Sequence, residues 1–202
     1  MRLARWTLAG VVLLVGVTTA PAQDAAARAE AASMQRKLVA ILTRAELPAS
    51  TVRHPIQRTS FTDREVNAYF RVHGPDFLPA GVVDPRVSID GAGRVRTQAI
   101  VDLDLALKSK ERGWLDPLAW LSGKVEVNGV GTLHAANGRG VLRLETATLN
   151  GVAIPRAVLQ EIITYYSRSE EHPRGFQLDE PFELPSAIRA VETAPGRATV
   201  VQ

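Results

Sequence analysis

The 202-residue sequence contains no cysteine. This absence excludes a disulfide framework, a thiol nucleophile, a thiolate zinc site and lipid attachment through an N-terminal cysteine. The sequence also has no large excess of positive or negative residues, since it contains 24 lysines and arginines and 21 aspartates and glutamates. The small difference gives no basis for a nucleic-acid partner. The hydrophobic fraction of 46% is that of a folded chain and excludes general disorder.

The sequence has no apolar run as long as a typical membrane span of about 20 residues. Its first apolar run, Trp6 to Ala20, is uncharged but only 15 residues long. Arg2 and Arg5 precede this run, and the small-x-small pattern Ala20-Pro21-Ala22 follows it. These features predict an export signal over residues 1–22, cleavage after Ala22 and a periplasmic protein. An uncleaved signal anchor is the competing interpretation.

Two helices are predicted in the first part of the mature chain. Residues 24–47 form the first, because apolar side chains recur at helical spacing and Pro48 follows them. Residues 49–60 have no clear period and predict a linker. The second helix begins with Thr62 and Glu65 at capping-box spacing, flanked by an apolar Phe61 and Val66. Gly74-Pro75 is expected to end it.

From Gly81 onward the hydrophobic period becomes two. The longest alternating run predicts a strand of about 14 residues, against a usual length of 5–6, and its apolar face comprises Val95, Thr97, Ala99, Val101, Leu103, Leu105 and Leu107. Strands are also predicted over residues 124–136 and 139–149, joined by Asn137-Gly138. Pro155 is expected as the first residue of another helix, and three short extended segments should follow.

These elements predict an α+β protein in which a long, highly curved antiparallel sheet wraps around helices, with a long N-terminal helix. The expected organisation is a signal peptide at 1–22, the N-terminal helix and linker at 23–60, and the curved-sheet domain at 61–202.

The order of the elements resembles a known family. The segments that carry the likeness are the helix Phe61–Phe70, the long alternating strand, Leu149 to Pro155 leading into a helix, and Glu183 to Ile188. Together they are similar to exported lipid-binding proteins of the LmeA and YpmS type, relatives of tubular lipid-binding (TULIP-like) domains. The resemblance covers residues 61–201 and implies a curved sheet around a helix, with an apolar groove for acyl chains.

Catalytic and metal-binding signatures are missing. No two of the four histidines have the i+2 or i+4 spacing that would place them on one metal. Asp102 and Asp104 are expected on the solvated face of the long strand, about 7 Å apart. The Gly-x-Gly segments lack the endings of phosphate-binding loops, and no Gly-x-Ser-x-Gly motif is present. We therefore predict no cofactor, no metal and no enzymatic activity.

One segment breaks the alternation of the strands. Residues 113–121 hold Trp114 and Trp120 within an apolar stretch. They predict a short loop helix packed on the sheet, an apolar flap at the mouth of a groove, or a tip that touches the membrane. Tryptophan suits the last two, because its ring is apolar and its N–H prefers a wet partner.

The leading functional hypothesis is a periplasmic protein that binds or carries a lipid or another apolar small molecule. The alternative is a non-catalytic structural or interaction protein of the cell envelope, and an envelope hydrolase is a third hypothesis. The expected ligand-binding residues are Val95, Ala99, Val101, Leu103, Leu105, Leu107, Trp114, Trp120, Val125, Val127, Leu142, Leu144, Val158, Ile162 and Tyr166.

Overall fold

The computed structural model describes residues 20–47, 55–106, 122–168, 173–175 and 177–202. These residues form four helices and one antiparallel sheet of nine strands, which confirms the predicted α+β class. The helices are α1 (Ala20–Ala45), α2 (Asp63–Phe77), α3 (Leu103–Ala106) and α4 (Arg156–Ser167). The strands are β1 (Arg58–Thr62), β2 (Val82–Gly91), β3 (Arg94–Asp102), β4 (Lys124–Ala136), β5 (Arg139–Leu149), β6 (Val152–Ala153), β7 (Pro181–Glu183), β8 (Ala190–Ala194) and β9 (Arg197–Val201).

The sheet has the order β1-β9-β8-β4-β3-β2, and β5 lies on the other side of β4. Strand β5 also pairs with β6 near one end and with β7 near the other. On the opposite edge of β4, residues 124–132 pair with β3, and Ala135 then pairs with Val191 of β8. The β8–β9 hairpin, extended by β1, therefore continues the sheet beyond the turn that joins β2 and β3.

The hairpin of β4 and β5 has the predicted bounds. Asn137 and Gly138 connect the strands with φ angles of 53° and 77°. Positive φ at both central residues matches the twist of the flanking strands, and asparagine and glycine tolerate it best. Local sequence therefore suffices to define this hairpin.

The predicted 14-residue strand is wrong in its second half. Strand β3 ends at Asp102, and the next four residues form α3. The Asp102 carboxylate accepts a hydrogen bond from the Leu105 N–H at 3.1 Å, as an N-cap residue does, and the Asp104 carboxylate accepts one from the Gly123 N–H at 3.2 Å. The two aspartates thus begin and support a helical turn, and the interpretation that they share a strand face is wrong.

Helix α2 begins as predicted but ends later. The Thr62 hydroxyl accepts from the Glu65 N–H, and the Glu65 carboxylate accepts from the Thr62 N–H, which completes the capping box. Gly74-Pro75 does not end the helix, since α2 continues to Phe77. Pro75 stands in the last turn, where its missing N–H removes one hydrogen bond without preventing the Leu78 N–H from bonding to the Gly74 carbonyl.

Three further boundaries differ from the sequence predictions. The end of the predicted linker, residues 58–60, belongs to β1, which pairs along its whole length with β9. The three extended segments are predicted around Phe176–Leu178, Ile188–Thr193 and Arg197–Val201. The last two correspond to β8 and β9, whereas Leu178 lies in a turn, and β7 was not predicted. Pro155 is the N-cap of α4 and not its first residue, although its carbonyl accepts the first helical hydrogen bond, from the Leu159 N–H.

Helix α1 packs along α2 and touches β1. Glu65 of α2 is buried at this contact, and its carboxylate accepts hydrogen bonds from the Lys37 ammonium at 2.6 and 2.8 Å and from the Ser33 hydroxyl at 2.7 Å. Burial by itself would raise the pKa of Glu65, but the hydrogen bonds from Lys37 and Ser33 and the positive charge of Lys37 lower this pKa from 4.5 to about 2. The carboxylate is therefore ionised at neutral pH and holds the two helices together.

Strand β2 lies at an edge of the sheet, and α2 covers this edge through one side chain. The Asn67 amide donates to the Val87 carbonyl at 2.8 Å, and its oxygen accepts from the Val87 N–H at 2.7 Å. Two residues further along the strand, the Ile89 carbonyl accepts from the Gly196 N–H at 2.7 Å. Asn67 thus takes the place of a neighbouring strand and blocks pairing with another chain here.

Replacing Asn67 with alanine is expected to lower the free energy of unfolding by about 1–3 kcal/mol, because it leaves the Val87 N–H and carbonyl without their partner. Urea unfolding followed by circular dichroism measures the loss. Gln98→Ala is the control, since Gln98 is exposed on β3 and its replacement should change stability by about 0.5 kcal/mol or less. Equal losses in the two variants would contradict this role of Asn67.

Candidate functional site

Strands β2 to β5 present one apolar face, defined by their register. Val101 stands opposite Val82 on one side and Val125 on the other, and Ala99 stands opposite Val127. Because side chains alternate along a strand, directly opposed residues lie on the same side of the sheet. The apolar face comprises Val82, Val87, Ile89, Val95, Ala99, Val101, Val125, Val127, Leu133, Leu142, Leu144, Ala147 and Leu149.

A β-bulge brings the far half of β5 onto this face. Thr146 pairs with Val130, but the next pair is Leu144 with Gly131, so Glu145 is the extra residue. The inward positions of β5 therefore change from odd-numbered to even-numbered residues, and Leu142 and Leu144 join the face. Without the bulge, Arg143 would take an inward position. The sequence prediction that Leu142 and Leu144 accompany Val125 and Val127 agrees with this register.

Burial differs between the two ends of the apolar face. Leu103 and Val125 are only 3% and 4% exposed, and Val101, Val127 and Leu149 pack against them. Toward the other end, Val95, Ala99 and Leu144 are half-buried, and Leu142 is 47% exposed. The face thus has a closed end at α3 and an open end at Leu142 of β5, although Ile89 of β2, which stands opposite Val95, is only 7% exposed.

Helix α4 is attached to the edge strand beside the open end. The Arg156 guanidinium donates to the Leu144 carbonyl at 3.4 Å and forms an ion pair with Asp179. The Gln160 side chain accepts from the Leu178 N–H at 2.8 Å. Arg156 and Gln160 were not among the predicted site residues, because their contacts with Leu144, Asp179 and Leu178 join segments whose arrangement the sequence pattern does not give.

The structure places the other predicted site residues as follows. Leu103 and Leu105 lie on α3, where Leu103 belongs to the core and Leu105 is 45% exposed, so the prediction that both lie on the strand face is wrong. On α4, Val158 is 41% exposed and Ile162 is half-buried. Tyr166 also lies on α4. Leu107, Trp114 and Trp120 fall outside the described residues, and so does the proposed flap.

The opposite face of the sheet is polar and internally paired. The Arg96 guanidinium donates to the Asp90 carboxylate at 2.8 Å, and Arg94 lies 3.3 Å from a Glu145 oxygen. The Glu126 carboxylate accepts from the amides of Gln98 and Asn128 at 3.3 and 2.7 Å. These groups bond to one another at a solvent-exposed surface, so they do not require a ligand as a partner. Across the described residues, no three histidine or acidic side chains cluster as metal ligands would.

Comparison with the profiles of known protein families and with curated proteins gives no match. Within the described part of the chain, no helix combines the length and the apolar character that crossing a membrane requires.

Proposed function

We propose that the protein binds or carries a lipid or another apolar small molecule in a groove between the apolar face and α4. The observation that carries this proposal is the open end of the face, where Leu142, Leu144 and Val158 belong to adjoining elements and remain exposed or half-buried. Burying a leucine side chain contributes roughly 1.5–3 kcal/mol, so an apolar ligand laid across these residues would gain from each of them.

The position of α1 favours a groove that holds a ligand over a groove that is filled by a helix of the protein itself. A helix that occupied the groove would leave no room for a ligand. The main contacts of α1 are instead with α2 and β1, where Glu65 holds Lys37 and Ser33. The apolar face of β2 to β5 is therefore not the surface against which α1 packs.

The proposed groove requires that the sheet curves around α4. The resemblance to exported lipid-binding proteins of the LmeA and YpmS type implies such curvature, and the bulge at Glu145 favours it because bulges bend a strand and increase its twist. In this proposal the protein acts by binding alone, without catalysis, cofactor or metal, and any contact with a membrane is transient.

The second candidate is a non-catalytic structural or interaction protein of the cell envelope. The closed end of the apolar face favours it, since Leu103 of α3 already fills the space over Val125. If the whole face were covered in this way, the same residues would form an ordinary core. A protein that carries a ligand and a protein whose groove is filled by its own side chains should therefore differ in mass after gentle purification.

Native mass spectrometry of the protein purified gently from its own envelope tests the proposal. We expect an added mass near one lipid per chain, which lipid extraction should then identify. A mass equal to that of the bare chain would contradict carriage and favour the structural alternative.

Export is the second part of the proposal, and it rests on Arg2, Arg5, the short apolar run and Ala20-Pro21-Ala22. N-terminal sequencing of the protein from the periplasmic fraction should give Gln23 as the first residue. An intact Met1 in the membrane fraction would contradict cleavage and favour a signal anchor.

A further inference from the structure

A second concave site lies apart from the open end of the apolar face, between α2 and the start of β2. Its volume is about 470 Å³, within the range of 300–1,000 Å³ typical of small-molecule pockets. Its apolar lining includes Phe70, Pro75, Leu78 and Val82. The pocket therefore offers a concave surface with an apolar side, large enough for a small ligand.

The charged groups of the pocket are Arg71, Arg86 and Asp84. The Arg86 guanidinium donates to the Asp84 carboxylate at 2.9 Å, so this pair is close to neutral. Arg71 is exposed and has no hydrogen-bond or ion-pair partner among the described residues. The pocket thus has a net charge of +1, carried by a guanidinium that is free to bind an anion.

The backbone of β2 is irregular where it borders this pocket. Asp84 has a φ of 47°, and the register with β3 shifts between Val83 and Arg86. Bulges of this kind redirect side chains and often stand beside binding sites. Asp84, Pro85 and Arg86, which lie at this irregularity, all line the pocket, and the Arg86 guanidinium is held by Asp84.

We propose that this pocket binds a free amphipathic monocarboxylate. The apolar body would lie against Phe70, Leu78 and Val82, and the carboxylate would bind Arg71. A guanidinium presents a planar pair of donors that matches both oxygens of a carboxylate. The net charge of +1 fits one negative charge, whereas a phosphate monoester carries up to two near neutral pH. Val82 also belongs to the apolar face, near its closed end, so the pocket borders that face but lies apart from the open end where the lipid is proposed to bind.

Isothermal titration of the mature chain with octanoate tests the proposal, with octanol and octylammonium as probes of the same chain length. Octanoate should bind, and the neutral and cationic probes should bind at least about tenfold more weakly, the effect of one charge-assisted hydrogen bond of about 1.4 kcal/mol. Absence of octanoate binding, or equal binding of octanol, would overturn the proposal.

Arg71→Gln should weaken octanoate binding by about tenfold. Arg64→Gln is the matched control, because it removes the same charge from the same helix at a residue that does not line the pocket. Equal effects of the two substitutions would mean that general charge and not the pocket attracts the anion, which contradicts the proposal.

Two further measurements test whether octanoate binds in this pocket and not elsewhere on the protein. The double substitution Leu142→Gln/Leu144→Gln alters the apolar face and should leave octanoate binding unchanged, whatever it does to lipid binding. Loss of octanoate binding in that variant would place the anion on the apolar face and overturn the second site. Binding of phosphatidylglycerol vesicles that depends on Arg71, without binding of free octanoate, would replace the pocket by a membrane contact and also overturn it.

Discussion

Replacing Leu103 with alanine is expected to lower the free energy of unfolding by about 2–5 kcal/mol. Leu103 is 3% exposed and forms a buried cluster with Val125, against which Val101, Val127 and Leu149 pack. The substitution removes the transfer free energy of the side chain and leaves a cavity in a small core. Because this residue closes one end of the apolar face, it should affect stability more than ligand affinity.

Urea unfolding of Leu103→Ala and Leu105→Ala provides a matched comparison within α3. Leu105 is 45% exposed, so its truncation should cost less than about 1 kcal/mol. Similar losses in the two variants would show that Leu103 is not a core residue. In that case the earlier expectation that Leu103 lines a ligand channel would regain support.

Replacing Glu65 with glutamine is expected to lower the free energy of unfolding at pH 7 by about 1–3 kcal/mol. Glutamine keeps the size of the side chain and can still serve in the capping box, so the substitution isolates the effect of the negative charge. Removing one member of a buried ion pair is costly because the other charge remains. Lys37 retains contact with water at 32% side-chain exposure, so the loss should stay below the 3–5 kcal/mol of a fully buried pair.

The Glu65 pair also predicts a pH dependence. The pKa of Glu65 is about 2 in the folded protein, below its ordinary value of 4.5. Its stabilising contribution is therefore fully present above about pH 4.5 and is lost as the pH falls toward about 2. The difference in stability between the parent and Glu65→Gln should shrink over that interval.

Thermal unfolding from pH 2 to pH 7 measures this dependence, with Glu192→Gln as the control. Glu192 forms an ion pair with Arg58 in which both side chains are more than half exposed, so its loss should cost less than about 1 kcal/mol. If the difference in stability between Glu65→Gln and the parent stayed constant across that range, it would contradict the conclusion that the ionised Glu65 carboxylate stabilises the fold.

The elements that sequence analysis located correctly are defined by local interactions. The β4–β5 hairpin is specified by Asn137-Gly138 and the alternation on either side, and the start of α2 by Thr62 and Glu65. In each case the residues that determine the structure lie within a few positions of one another. Such signals can be interpreted without knowledge of the rest of the fold.

The errors have long-range or competing causes. Strand β1 is short, and its pairing partners in β9 are far away in sequence, since Ser60 and Thr199 are 139 residues apart. The apolar alternation continues through Leu103 and Leu105, but the side-chain cap from Asp102 begins a helical turn there. The edge contact of Asn67 with Val87 depends on how α2 lies against β2. A one-dimensional pattern does not contain that arrangement.

The candidate site also contains residues that a local pattern predicts and residues whose position depends on the rest of the fold. Alternation alone selected Val95, Ala99, Val101, Val125 and Val127, and the register places them on one face. The presence of Leu142 and Leu144 on that face depends on the bulge at Glu145, which alternation does not reveal. The pocket beside Arg71 was not predicted, although its lining residues all lie between Asn67 and Arg86, because its shape depends on how α2 lies against β2.

Titration with a fluorescent fatty-acyl lipid tests the central claim, that the apolar face binds an apolar ligand. The variants are Leu142→Gln/Leu144→Gln on the apolar face and Arg143→Gln, a single substitution between them on the opposite face. We expect the parent and Arg143→Gln to bind the lipid alike. The double variant should remain folded and bind at least about tenfold more weakly, since each lost leucine contact contributes more than about 1 kcal/mol. Lipid binding that is undetectable in the parent, or equal in all three folded proteins, would contradict it.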